Sequence, residues 1–95
     1  MTDPQDIFAA ILRERDFQDM KYGKLLDRSH AIPSWLLIMK KELIEAEDAW
    51  CKYGNSEAMK ELLQAVTVGV ACLQQYGITE RSKLEIDAVR MKMEV

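Results

Sequence analysis

Glycine and proline are scarce in this chain, four and two among 95 residues, and that scarcity argues against the turn-rich all-β architectures. Histidine occurs once and cysteine twice. Cys51 and Cys72 fall on separate helical stretches without metal-type spacing, so they read as two reduced, half-buried thiols rather than a disulfide or part of a zinc set. Positive charge is not concentrated anywhere. The net charge is −3 and the pI near 5.1, which excludes a nucleic-acid polymer as the expected partner. No segment is apolar for long enough to span a bilayer, and the run from Ile7 to Leu12 is too short and too acidic at its front for a signal peptide. A cytoplasmic protein with no membrane partner is expected. Strand-like alternation, internal repeats and low-complexity stretches are also missing.

What is present suits helices. Apolar residues make up 48% and charged residues 31% of the chain, and the length bounds the protein to a single domain over residues 1–95. Asp3 followed by Pro4 is a start signal for a first helix to about Met20, with Ile7, Phe8, Ile11 and Leu12 as its core-directed stripe. Gly23 ends that pattern, and Lys24 to Ile32 reads as a loop. Pro33 opens a second helix that runs to Tyr53, where Gly54 and Asn55 stop it and Ser56 is the expected cap of a third. From Leu62 to Leu73 only Gln64 and Thr67 are polar, so the third helix must be central. Gly77 ends it, and Thr79 is the expected cap of a fourth helix whose apolar positions are scattered. An all-α, four-helix bundle-like protomer results. Its central helix needs more cover than this short chain offers, so neighbouring subunits are expected to pack together in a homo-oligomer, with the fourth helix lying on a partner.

The second and third helices carry acid where core residues belong. On a wheel of about 100° steps, Trp35, Ile38, Met39, Ala46, Ala49 and Tyr53 lie within roughly 60° of Glu42. Ala58, Ala65, Val68 and Cys72 gather around Glu61, with Gln64 and Glu57 at the flank. Glu42 with Glu45, and Glu61 with Gln64, are spaced i to i+3 and project side by side. Buried carboxylates need a cation, either a basic side chain or a metal ion. Arg13, Arg15, Lys40 and Lys41 are the basic candidates. For a metal, oxygen-only ligation across an antiparallel helix pair favours Mg2+, with Mn2+ as the alternative. Magnesium held by a few carboxylates takes further ligands from phosphates, which makes a nucleotide the natural substrate class.

Lys41-Glu42-Leu43-Ile44-Glu45, followed after a short hairpin by Glu61-Leu62-Leu63-Gln64, resembles the EExxE and ExxD signature of the MazG-like nucleoside triphosphate pyrophosphohydrolases. Glu14-Arg15, Gln18-Asp19 and Lys21-Tyr22-Gly23 extend the resemblance upstream, and it covers roughly residues 10–76. It implies an all-α homodimer or homotetramer that uses Mg2+ to cleave (deoxy)nucleoside triphosphates into monophosphate and pyrophosphate. Glu42, Glu45 and Glu61 match three of the family's four metal ligands, and Gln64 stands where Asp is usual, which removes one negative charge. Lys41 replaces the first Glu of the signature at a position not counted among the ligands. Glu57 or Asp48, one turn away, are the candidates to restore the lost charge. Glu42 and Glu45 become the candidate catalytic carboxylates. Lys21, Lys24 and Arg28 are candidates for the triphosphate, Tyr22 and Trp35 for stacking a base, and Gln18 for a base edge. Trp35 also reads as plain core, and His30 as an exposed loop residue. Two rival readings stand beside the enzyme: a catalytically weakened nucleotide- or metal-binding oligomer, and a purely structural helical oligomer.

Overall fold

A computed structural model describes residues 1–94. Its helices are α1 (Pro4–Tyr22), α2 (Ile32–Tyr53), α3 (Asn55–Tyr76) and α4 (Lys83–Met93), and a 3-10 turn, Leu25–Asp27, lies between the first two. There is no strand among the described residues. The Asp3 carboxylate accepts from the Gln5 N–H at 2.7 Å, so α1 starts where its cap and proline predict. Two other expected caps are corrected. Gly54 alone joins α2 to α3: at φ 94° it turns the chain and serves as N-cap, α3 starts at Asn55, and Ser56 is already helical. The cap of α4 is Ser82, whose Oγ accepts from the Glu85 N–H at 3.1 Å, and Thr79 lies in the non-helical linker before it.

The single-residue connection makes α2 and α3 an antiparallel hairpin, and most of the packing between helices is between these two, with α1 laid on α3. Trp35, Val68 and Ala71 form the buried centre, with Leu25, Ile38, Met39 and Cys72 against it. Gly69 lets Met39 approach, since a Cβ there would sit 3.0 Å from the Met39 Cε. The third helix is central as its composition requires, with Ala65, Thr67, Val68 and Ala71 buried. Thr67 meets the cost of burial by donating its hydroxyl to the Leu63 carbonyl at 2.7 Å.

The two halves of α1 are reversed from expectation. Ile7, Phe8 and Leu12 are exposed, whereas the polar second half is the part held in place, by buried Arg15 and Gln18. Arg15 donates to Gln74 at 2.6 Å, to Gln18 at 3.3 Å and to Asp19 at 3.0 Å, so it is occupied with α1 and α3 rather than with the acids of α2. Tyr53 and Cys51 are exposed rather than half-buried. The apolar stripe of α1 borders a cleft of about 380 Å³ whose other wall is Met59, Leu62, Leu63 and Val66 of α3. Leu84, Ile86, Val89, Met91 and Met93 of α4 are also uncovered.

The protomer is therefore open. A compact chain of 11.0 kDa has an accessible surface of about 5,600 Å² by the usual size scaling, whereas this one has 7923 Å². Its radius of gyration of 16.3 Å exceeds the roughly 12.4 Å of a compact domain of this length. No helix among the described residues is long and apolar enough to cross a membrane.

Candidate functional site

Because α2 and α3 run antiparallel from one glycine, their middle turns face each other. Glu42 and Glu45 from α2 and Glu61 from α3 each bring a carboxylate oxygen within 4.8 Å of the other two. All three are half-buried. Glu42 Oε2 is shut off from solvent and has no hydrogen-bond partner. Burial pushes the Glu42 carboxyl above its ordinary value, and the adjacent Glu45 carboxylate and the charge of Glu61 add to the rise; nearby Lys41 opposes it. Like charges assembled around an unsatisfied buried oxygen are an unfavourable arrangement for a chain by itself.

The expected neutralising cations are elsewhere. Arg13 and Lys40 are exposed and in no ion pair among the described residues. Arg15 pairs with Asp19, and Lys41 does not reach an ion pair with the acids. Neither candidate for the missing charge joins the group: Glu57 bonds Lys60 at 3.3 Å, and Asp48 is exposed. The donor set is three carboxylates, all oxygen, which fits a hard divalent cation such as Mg2+ or Mn2+, and Gln64 shares the cavity wall with Glu42.

Of the three acids, Glu42 lines a cavity of about 430 Å³ between α1, α2, α3 and the loop before α2, and Glu45 and Glu61 stand behind it. Glu42, Gln64 and Lys41 line one part of it. Five of the six residues predicted to bind substrate also line it: Gln18, Lys21, Tyr22, Arg28 and Trp35. The sixth, Lys24, does not; it is exposed, just before the 3-10 turn. Cations cluster on the Tyr22 ring, with Lys21 Nζ 5.1 Å and Arg28 Cζ 5.9 Å from its centroid. Arg28 is pinned by Asp19 at 3.3 Å and by the Gly23 carbonyl at 2.7 Å, so its guanidinium is set in place at the cavity wall. Gln18 lends its Oε1 to Arg15, leaving its amide N–H groups for other use. Trp35, 2% exposed, is both core and cavity wall.

Sequence reasoning missed His30. It is half-buried rather than exposed, lines the cavity and meets the Trp35 ring edge-on at 4.8 Å. Gln75 was missed too. It bonds the His30 backbone and the Trp35 indole from α3. A signal existed for it, since Gln75 falls about 40° from Glu61 on the helical wheel, a further polar residue on the apolar arc. Comparison with known protein families, with curated proteins and with solved structures finds no match to this chain.

Proposed function

We propose that the protein is a nucleoside triphosphate pyrophosphohydrolase of the MazG-like kind, dependent on Mg2+ or Mn2+. The observation that carries this reading is the orphaned Glu42 oxygen inside a trio of half-buried carboxylates, with Glu42 itself on the wall of a cavity that also carries Lys21 and Arg28. Anionic and cationic groups on one cavity suit a ligand that is itself anionic and brings a divalent cation with it, and a nucleoside triphosphate is such a ligand. Glu42, Glu45 and Glu61 would hold the cation, with Gln64 as a neutral fourth oxygen donor. When bound, the cation supplies a lowered pKa for water and compensation of phosphate charge.

The remaining chemistry is assigned to the chain's own groups. Lys21 and Arg28 bind the phosphate oxygens, Arg28 from the fixed position that Asp19 and the Gly23 carbonyl give it. The Glu45 or Glu42 carboxylate orients a water on the α-phosphorus and takes its proton. Water oxygen bonds to the α-phosphorus as the bond to the bridging oxygen breaks, giving monophosphate and pyrophosphate. Tyr22 and the His30–Trp35 wall border the space where the base lies, and Gln18 offers amide donors to its edge. The substrate is cytoplasmic in this reading, and no membrane is involved.

The partner is a second copy of the chain, in a dimer or tetramer. Surface in excess of a compact monomer by roughly two-fifths matches what obligate oligomers bury, and the α1–α3 cleft and α4 are the uncovered apolar regions. One observation favours a second function. Gln64 in place of an acid lowers the charge of the site, which suits a protein that binds nucleotide and cation with little turnover. Pyrophosphate release from a panel of nucleoside triphosphates, with Mg2+, Mn2+ or EDTA, decides between them. Cation-dependent release that Glu42→Ala removes and Gln64→Asp increases supports the enzyme. Binding of a non-hydrolysable triphosphate without release on any substrate moves the protein to the second function, and neither binding nor release leaves a structural oligomer.

A further inference from the structure

Gln75 holds the aromatic end of the cavity together without lining it. Its Oε1 accepts from the His30 backbone N–H at 3.1 Å and from Trp35 Nε1 at 2.8 Å, and its Nε2 donates to the His30 carbonyl at 2.8 Å. The Tyr76 hydroxyl donates to the same carbonyl at 2.7 Å. A side-chain amide is the group that supplies both a two-lone-pair acceptor and an N–H donor, and an asparagine would fall one methylene short of doing so here. Both backbone polar groups of His30 are thereby consumed by α3. Its imidazole is left edge-on to Trp35 and facing the cavity, with neither ring nitrogen bonded to a protein group among the described residues.

Distance along α2 separates this wall from the carboxylates. Trp35 precedes Glu42 by seven residues, two helical turns or about 10 Å of axis. A ligand whose phosphates meet the acids therefore carries its ring toward His30 and Trp35. We propose that Gln75 is a positioning residue for ligand recognition. It clamps the His30 backbone and the Trp35 indole and so fixes the wall that the base of a nucleoside triphosphate meets. The inference rests on the nucleotide reading given above.

The test is steady-state kinetics of Gln75→Leu on several nucleoside triphosphates, with circular dichroism melts to establish that the variant is folded. KM rises on the order of tenfold while kcat stays within about twofold, because the lost hydrogen bonds act on binding and the carboxylate end is untouched. The preference among bases narrows with it. A purely structural role would lower the active fraction, and with it kcat, at unchanged KM. In a His30→Ala background the KM effect of Gln75→Leu shrinks, since the amide works through that residue. Tyr76→Phe removes one donor at an exposed position and raises KM in the same direction by about two- to threefold. Should Gln75→Leu fail to fold, Tyr76→Phe and Gln75→Glu carry the test. Unchanged KM and base preference in the folded variants, with the wild-type enzyme active, overturn the role of Gln75 alone. A wild-type protein that neither turns over nor binds a nucleoside triphosphate overturns the nucleotide reading, and this inference with it; in one that binds without turnover, the Kd of a non-hydrolysable triphosphate replaces KM as the readout, with the same expected rise in Gln75→Leu.

Discussion

Two charged clusters sit between helices of this protein, and they are built on opposite plans. Around Arg15, charge is matched: the buried guanidinium meets Asp19, Gln18 and Gln74, and Asp19 also takes Arg28. Around Glu42, charge is repeated: two more carboxylates lie within 4.8 Å and one oxygen has no partner. A cluster that only holds a fold together resembles the first, because every buried donor finds an acceptor. The second stores repulsion, which a bound cation or a proton would relieve. Burial and hydrogen bonding, rather than the number of charges, separate a structural network from a candidate site.

The contrast can be broken from either side. The largest effect is expected from Glu42→Ala and Glu61→Ala: turnover of nucleoside triphosphate falls on the order of 10²–10³-fold while the variants stay folded. A drop in stability with unaltered turnover would make the acids structural and erase the contrast. Arg15→Ala should do the reverse, lowering unfolding stability in urea by about 1.5–3 kcal/mol, because Gln18, Gln74 and the half-exposed Asp19 lose a charged hydrogen-bond partner while Asp19 keeps Arg28. A loss under about 1 kcal/mol would reduce that network to the worth of a surface pair.

A subtler effect is expected from pH. Glu42 is raised above its ordinary 4.5 in the folded state, so folding takes up protons there. Its contribution to stability is therefore full below pH 4.5 and is lost as pH climbs through the raised folded value. In EDTA, urea unfolding of the wild type should show that decline, and Glu42→Gln should flatten it. Adding Mg2+ should counter the decline in the wild type and not in the variant, and equal pH slopes for the two proteins would count against the repulsion. The smallest effect belongs to Lys24→Ala, which should leave KM unchanged and stability within about 0.5 kcal/mol, since Lys24 does not line the cavity. A clear rise in KM would return that lysine to the substrate.

Much of this was legible in residue order. Gly23, Gly54 and Gly77 end their helices, and Asp3 with Pro4 starts the first, because these signals act within one turn of chain. The inward aim of Glu42, Glu45 and Glu61 was legible because periodicity alone assigns a helix face. The caps at Ser56 and Thr79 misled, since capping residue types are common and a positive-φ glycine can begin a helix directly. Periodicity also cannot say what covers a stripe, so the apolar half of α1 was assigned to a core it does not reach. His30 was illegible for another reason: its surroundings come from Gln75 and Tyr76, 45 and 46 residues away.

The one-residue turn at Gly54 has a further meaning for how the site is encoded. With no slack between two 22-residue helices, partners across the hairpin are set by counting outward from that glycine: Met39 meets Gly69, and Trp35 meets Gln75. Adding or removing one residue between the turn and the acids would turn what lies beyond it by about 100°, parting Glu42 and Glu45 from Glu61. The chain thus tolerates exchange of side chains far better than change of length between Trp35 and Gln75, and that interval works as a ruler whose zero is the turn.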